Sequence, residues 1–240
     1  MYSNYILIMN NLEKEPYMFY FYYTTNFTSS SSSTPVQFTG ELNKLSQGDY
    51  MFFGCGRLTS FSVPSLDNLT SSRYMFWNNY KLGEFNVNLP NLKDGSYMFY
   101  RYTKYSTNTP LSIADKLNLS SLTDGSYMFY NTEITQFSSS LPSLTNGSNM
   151  FYGCTLDRDS VLFIVNDLKT NNLLKTSGSL TIGTSKDYQN DDELRFALGE
   201  TSEQKNNQSG EKYPNDYPQY IDTKIKSAGG GTWSIKTYWY

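Results

Sequence analysis

Histidine is missing from this chain altogether, and cysteine occurs only twice among its 240 residues. Without histidine the chain lacks the commonest general base and the commonest metal ligand. Gly-x-Ser-x-Gly, a phosphate-binding glycine loop and a Cys-x-x-Cys pair are also missing, which excludes the enzyme classes that those motifs announce. Asp191, Asp192 and Glu193 are adjacent acids, but acids at the start of a helix complement its dipole more readily than they form an acid–base pair. The expectation is a protein that is not an enzyme and uses no cofactor and no metal. Charge is scarce: 19 Lys and Arg oppose 22 Asp and Glu, for a net charge of -3. Such a balance offers no basic patch to nucleic acid and no polybasic run to a membrane. No apolar stretch approaches the ~20 residues that span a bilayer. Tyr5-Ile6-Leu7-Ile8-Met9 is too short for the apolar core of an export signal and has neither a basic start nor a cleavage site. A soluble chain made without a classical export signal is expected.

What is present is a repeat. Leu-x-x-Leu followed six residues later by Met-Phe occurs five times, with its methionines at Met51, Met75, Met98, Met128 and Met150. Three of the four steps are 24, 23 and 22 residues, and the step of 30 from Met98 to Met128 marks a short insertion. A period of this size with Leu at fixed offsets predicts a solenoid of stacked coils of the leucine-rich-repeat kind. The fold class expected is a mixed α/β repeat, with short strands on one face, short helical turns on the other and a carboxy-terminal α/β cap. Cys55 and Cys154 occupy equivalent positions four coils apart. At the strand spacing of ~4.8 Å that separation is about 19 Å, far beyond the reach of a disulfide.

Residues 82 to 99 show how one coil is built. Phe85 and Val87 have strand spacing, with Glu84, Asn86 and Asn88 turned the other way; the preceding coil alternates Phe61 and Val63 with Ser60 and Ser62. In the last coil Ile134, Phe137 and Ser139 alternate with Gln136, Ser138 and Ser140. The outward row is either a binding face for hydroxyl-rich glycans or another protein, or a solvated sheet face. Gln47-Gly48, Asp94-Gly95, Asp124-Gly125 and Asn146-Gly147 predict sharp corners with positive φ, and Ser71-Ser72 must turn by another route. Asp49, Ser96, Ser126 or Ser148 then stands where it could cap a helical turn carrying Tyr-Met-Phe. Met and Phe of that triplet are expected in the core, whereas Tyr50, Tyr74, Tyr97 and Tyr127 can pack their rings and keep their hydroxyls wet.

Three regions follow. Residues 1–41 hold a degenerate coil at Tyr17-Met18-Phe19 and a loop with five consecutive serines; residues 42–157 are the repeats; residues 158–240 are the cap. The insertion around 100 to 110 gathers Tyr100, Tyr102 and Tyr105 with Arg101 and Lys104, the most distinctive exposed cluster expected. In the cap, helices are predicted over 159–170 and 191–198, a strand over 179–183, and an aromatic last strand holding Trp233, Ile235, Tyr238, Trp239 and Tyr240. As an edge strand, that last segment is a candidate for docking a partner by β-augmentation.

Phe-Tyr-Gly-Cys-x-Leu at 151–156, preceded by Leu-Thr-Asn-Gly-Ser at 144–148 and with Leu-Thr-Ser-Phe at 58–61 as the strand, resembles the BspA-type leucine-rich repeat. The similarity covers about residues 42 to 156, and helix, Leu-Thr-Ile-Gly, helix and Gly-x-Trp-x-Ile resemble the cap that follows such repeats. The family occurs in surface adhesins of gut and oral bacteria and in virion proteins of their phages. The resemblance therefore implies a tail- or head-fibre or tip component, assembled in the host cytoplasm, that binds host-surface glycan or protein and other virion proteins. Oligomers in an assembled particle are compatible with it. The alternatives are a purely structural decoration or adaptor protein of the virion, and a BspA-like adhesin on the bacterial surface. An adhesin is expected to carry a secretion signal, a lipobox or a sorting tail, which this sequence lacks.

Overall fold

The computed structural model describes residues 36–102, 109–113, 117–170, 178–188, 191–198, 219–226 and 230–240. The coil expected at Tyr17-Met18-Phe19, the serine loop and Tyr105 lie outside the described residues. The elements are β1 (Val36–Thr39), β2 (Leu58–Ser62), β3 (Glu84–Phe85), β4 (Ser112–Ile113), β5 (Asn146–Gly147), α1 (Arg158–Thr170), β6 (Gly178–Thr184), α2 (Asp192–Ala197), β7 (Gln219–Lys226) and β8 (Thr232–Trp239). They form two four-stranded sheets, β1-β2-β3-β4 and β5-β6-β8-β7. The first sheet is parallel throughout, one strand from each successive repeat, and its register aligns Phe38, Phe61, Phe85 and Ile113.

On the opposite face of each repeat the backbone follows a rule that accounts for every amide in the Tyr-Met-Phe segment. Alternate residues donate to the next repeat: Tyr50 N to Arg73 O at 2.8 Å, Phe52 N to Met75 O at 2.9 Å and Gly54 N to Trp77 O at 2.7 Å. The residues between them close turns three residues back within their own repeat, as Met51 N does to Gly48 O at 3.1 Å and Phe53 N to Tyr50 O at 3.1 Å. The same alternation recurs at Tyr74, Phe76 and Asn78, at Tyr97, Phe99 and Arg101, and at Tyr127, Phe129 and Asn131.

The helical turns expected to carry Tyr-Met-Phe do not form. Tyr50, Tyr74, Tyr97 and Tyr127 sit at φ 60, 56, 59 and 57°, with Asn149 at 56°, in the left-handed region that a right-handed helix of L-residues does not admit. Consecutive turns replace the helix because half the amides are spent on the neighbouring repeat. The positive φ therefore falls on the tyrosine and not on the glycine three residues before the methionine. That glycine answers a crowding problem: a Cβ at Gly125 would lie 3.1 Å from the Met150 sulfur and 3.1 Å from Leu122, and one at Gly48 would lie 3.2 Å from the Met75 sulfur. Ser72, in the same place, needs no special turn and is fully buried.

Inside, each repeat contributes the same side chains to continuous columns. Met51, Met75, Met98, Met128 and Met150 are all 0% exposed. Phe52, Phe76, Phe99, Phe129 and Phe151 stack face to face at 5.3, 5.5, 5.6 and 5.6 Å between centroids. Phe38, Phe61 and Phe85 stack alongside at 5.3 and 5.8 Å and meet the first column edge-on. Both geometries suit the aromatic quadrupole. Cys55 and Cys154 are buried thiols, and burial pushes the Cys55 thiol up to about 12.

The second sheet closes the column. Phe151 N donates to Thr181 O at 3.1 Å and Leu156 N to Gly183 O at 3.1 Å, so β6 stands where a further repeat would stand. At the fifth repeat the polar row is claimed by α1: Phe137 N donates to Ser160 Oγ at 2.8 Å, and Asp167 accepts from Ser140 Oγ at 2.6 Å and Leu141 N at 2.8 Å. Residues 134–139 accordingly pair with no strand among the described residues.

Candidate functional site

The left-handed tyrosines create a surface that the internal columns do not reach. Tyr50, Tyr74, Tyr97 and Tyr127 stack in a second ladder at 4.7, 4.6 and 4.5 Å, nearly parallel, and all four are half-buried. Two residues after each methionine, Phe53, Trp77, Tyr100, Tyr130 and Tyr152 stack in a third ladder at 4.3, 6.0, 4.8 and 4.9 Å, again half-buried. The two ladders run side by side, their rings tilted to one another by 39° at Tyr50 and Phe53, 49° at Tyr97 and Tyr100, and 33° at Tyr127 and Tyr130. The result is a double aromatic strip along the stack. Ring faces are spent on neighbouring rings, so the strip offers ring edges and phenol groups.

Burial and the neighbouring phenols push the Tyr97 and Tyr100 hydroxyls above the ordinary tyrosine value, and Tyr130 up to about 12. The strip is therefore uncharged at neutral pH. Among the described residues the hydroxyls of Tyr74, Tyr97, Tyr100, Tyr127 and Tyr130 have no hydrogen-bond partner. At its carboxy-terminal end Tyr152 meets Tyr238 and Tyr240 edge-on at 4.9 and 5.8 Å.

The polar residues expected on the strand face fall into three groups. Ser60 and Glu84 share one row with Gln37 and Ser112, and Ser62, Glu84, Asn86 and Asn88 are exposed. Some of their hydrogen-bonding capacity is spent internally: Asn86 donates to Glu84, and Asn88 Oδ1 accepts from Asn118 N at 3.3 Å. Gln136 and Ser138 line a cleft of about 450 Å³ with Ile113, Asp157, Asp159 and Phe163. Ser140 is held by Asp167 beneath α1 and does not belong to the open row.

The tyrosine cluster of the insertion is divided by the structure. Tyr100 belongs to the third ladder, whereas Tyr102 is 68% exposed. Arg101 is not displayed at all: it is 2% exposed and donates to Thr109 O at 2.6 Å and Leu82 O at 3.0 Å. It ties the two ends of the insertion to the preceding repeat. Burial lowers its pKa to about 10, which leaves it a cation at neutral pH.

The last strand is not an edge. β8 lies between β6, with which it is parallel, and β7, with which it is antiparallel. Trp233, Ile235 and Trp239 are 0, 0 and 1% exposed. Gly153 N donates to the Tyr240 hydroxyl at 2.9 Å, standing in for the coil-to-coil bond its counterparts make. Docking by β-augmentation at Trp233, Ile235, Tyr238, Trp239 and Tyr240 is therefore corrected: the backbone on both sides of β8 is already paired, and these residues cap the stack. The outer strand is β7, which sequence reasoning left unassigned although Ile221, Thr223 and Ile225 alternate with Asp222, Lys224 and Lys226. β1 was missed as well, although Phe38 precedes Leu42 by the four residues that separate Phe85 from Leu89.

Among the described residues no group of three or more Cys, Asp or Glu is placed to hold a metal ion, and no helix is long and apolar enough to cross a membrane. In comparisons with known proteins, no family model, no curated protein and no solved structure matches this chain.

Proposed function

We propose that this chain is a non-enzymatic binding protein whose repeats form a leucine-rich-repeat-like solenoid of the BspA type, serving as a fibre or tip component of a phage virion that touches the host surface. The observation that carries the reading is the register of the repeats. Equivalent residues recur at one ring-stacking distance, 4.5–4.7 Å in the tyrosine ladder, so any side chain repeated in sequence becomes a straight row in space. Such a row is a rigid, preorganised surface that spends little conformational entropy on an extended partner. Columns of buried Met and Phe leave the interior to packing, so a partner meets only the surface rows.

The test is binding of the purified full chain to envelope preparations and whole cells of candidate hosts, together with a search for the protein in purified particles. Saturable retention on host envelopes is expected. Failure to bind any envelope material excludes the host-contact role, and a chain found in particles without such binding is a purely structural component.

A further inference from the structure

We infer that the aromatic strip formed by the two outer ladders is a binding site for a neutral glycan chain lying along the stack. The inference rests on the binding role proposed above and gives it a site and a ligand class. The sequence places candidate binding on the polar strand row and in the insertion, and of those residues Tyr100 stands in the ladders.

Four features select the ligand. First, the ring faces of both ladders are spent on their own neighbours, so the strip presents ring edges and phenol oxygens and leaves no open ring face on which a planar ligand could stack. Second, the hydroxyls of Tyr74, Tyr97, Tyr100, Tyr127 and Tyr130, unpartnered among the described residues, each donate and accept, as sugar hydroxyls do. Third, the surroundings repel anions: Asp49, Asp94 and Asp124 flank the tyrosine ladder, and the chain carries a net charge of -3. Arg73, beside Tyr74, is paired with Asp94 at 3.6 Å. Fourth, a peptide strand has nothing to pair with, because the backbone amides beneath the strip are spent on the next repeat or on their own turn.

The remaining fit is a neutral polymer with hydroxyls at a regular pitch. The pitch of the rows, 4.5–4.7 Å at the tyrosines and 4.3–6.0 Å in the ladder beside them, is of the order of one sugar unit in an extended glycan, so successive units can meet equivalent groups on successive repeats. Trp77 reports on this surface. It is half-buried between Phe53 and Tyr100, whereas Trp233 and Trp239 are fully buried.

The experiment measures iodide quenching of tryptophan emission in the full chain, with and without hydroxyethylcellulose, mannan, galactomannan or polygalacturonate. At least one neutral polymer is expected to shield Trp77. The combined variant Tyr74→Phe, Tyr97→Phe and Tyr127→Phe keeps every ring and should weaken that binding roughly tenfold or more, as loss of several hydrogen bonds to the ligand requires. Ser60→Ala with Asn86→Ala should leave it unchanged. Shielding by none of the neutral polymers, binding of polygalacturonate alone, or full affinity in the triple phenylalanine variant overturns the inference. Periodate treatment of host cells, which cleaves sugar diols, separates the two levels of the account. Adherence lost on treatment supports the glycan site, and adherence that survives it overturns the site while leaving the host-binding role in place. No adherence to untreated cells removes that role itself.

Discussion

At the residue scale, the tyrosine before each methionine carries two opposed effects. Holding a non-glycine residue at φ near 56–60° costs on the order of 1 kcal/mol, yet each such tyrosine stacks on a neighbour at 4.5–4.7 Å, worth roughly 0.5–1.5 kcal/mol per pair beyond area burial. A central tyrosine has two neighbours, so stacking wins, and Tyr97→Gly should destabilise the chain in urea titration even though it relieves the backbone. Two other positions invite stabilisation. Ser72 Oγ is buried without a partner, so Ser72→Ala should be neutral or stabilising by up to about 1 kcal/mol. Both polar ends of the Asn79 side chain are likewise buried without a partner among the described residues, whereas at the equivalent position Thr132 Oγ1 donates to Phe129 O at 2.8 Å. Asn79→Thr should therefore raise the thermal midpoint, an outcome calorimetry reads directly. Gly125→Ala should go the other way by roughly 1–3 kcal/mol, because the new methyl meets Met150 and Leu122 at 3.1 Å.

At the scale of elements, the core was legible in the sequence because Leu, Met and Phe recur at fixed offsets, and each buries at the same place in every repeat. The helical turn was misread because Asp-Gly and a following Ser suggest a corner and a cap, while the pull of the next repeat on alternate amides leaves no mark on the sequence. The final strand was misplaced for a related reason: whether β8 is central or an edge depends on where β7 pairs, and the alternation of Ile221, Thr223 and Ile225 marks a strand without naming its neighbour. The joint between α1 and α2 was also hidden. Arg158 binds Asp191 at 2.6 Å and also pairs with Glu193, and Asp191 caps α2 by accepting from Leu194 N at 2.8 Å. Those contacts, the Arg158 bond first, lower the Asp191 pKa below the usual carboxylate value. A depressed folded-state value contributes stability that is present above the unfolded value of ~3.9 and lost as pH falls through the folded one. Asp191→Asn should accordingly flatten that acid limb in a pH series of denaturation midpoints, and Glu193→Gln should do so less.

At the scale of the whole molecule, the phenols of the strip set the alkaline limit. Tyr97, Tyr100 and Tyr130 have folded values raised by burial and by one another, Tyr130 to about 12. Their contribution is fully present below the unfolded value of ~10 and is lost as pH rises through the folded ones. Arg101, lowered to about 10, opposes them as a single group, so net stability should fall between about pH 10 and 12. The triple phenylalanine variant should lose part of that dependence.

The binding account stands on the repeats being stacked in register, and residue-resolved amide exchange in the native state tests this most directly. Coil-to-coil donors at Tyr74, Phe76, Tyr97, Phe99, Tyr127 and Phe129 should be protected together with the in-coil donors Met75, Met98 and Met128, as one continuous block through the stack. Rapid exchange at the coil-to-coil donors, with protection confined to the in-coil turns, would contradict the stack and with it the aromatic strip.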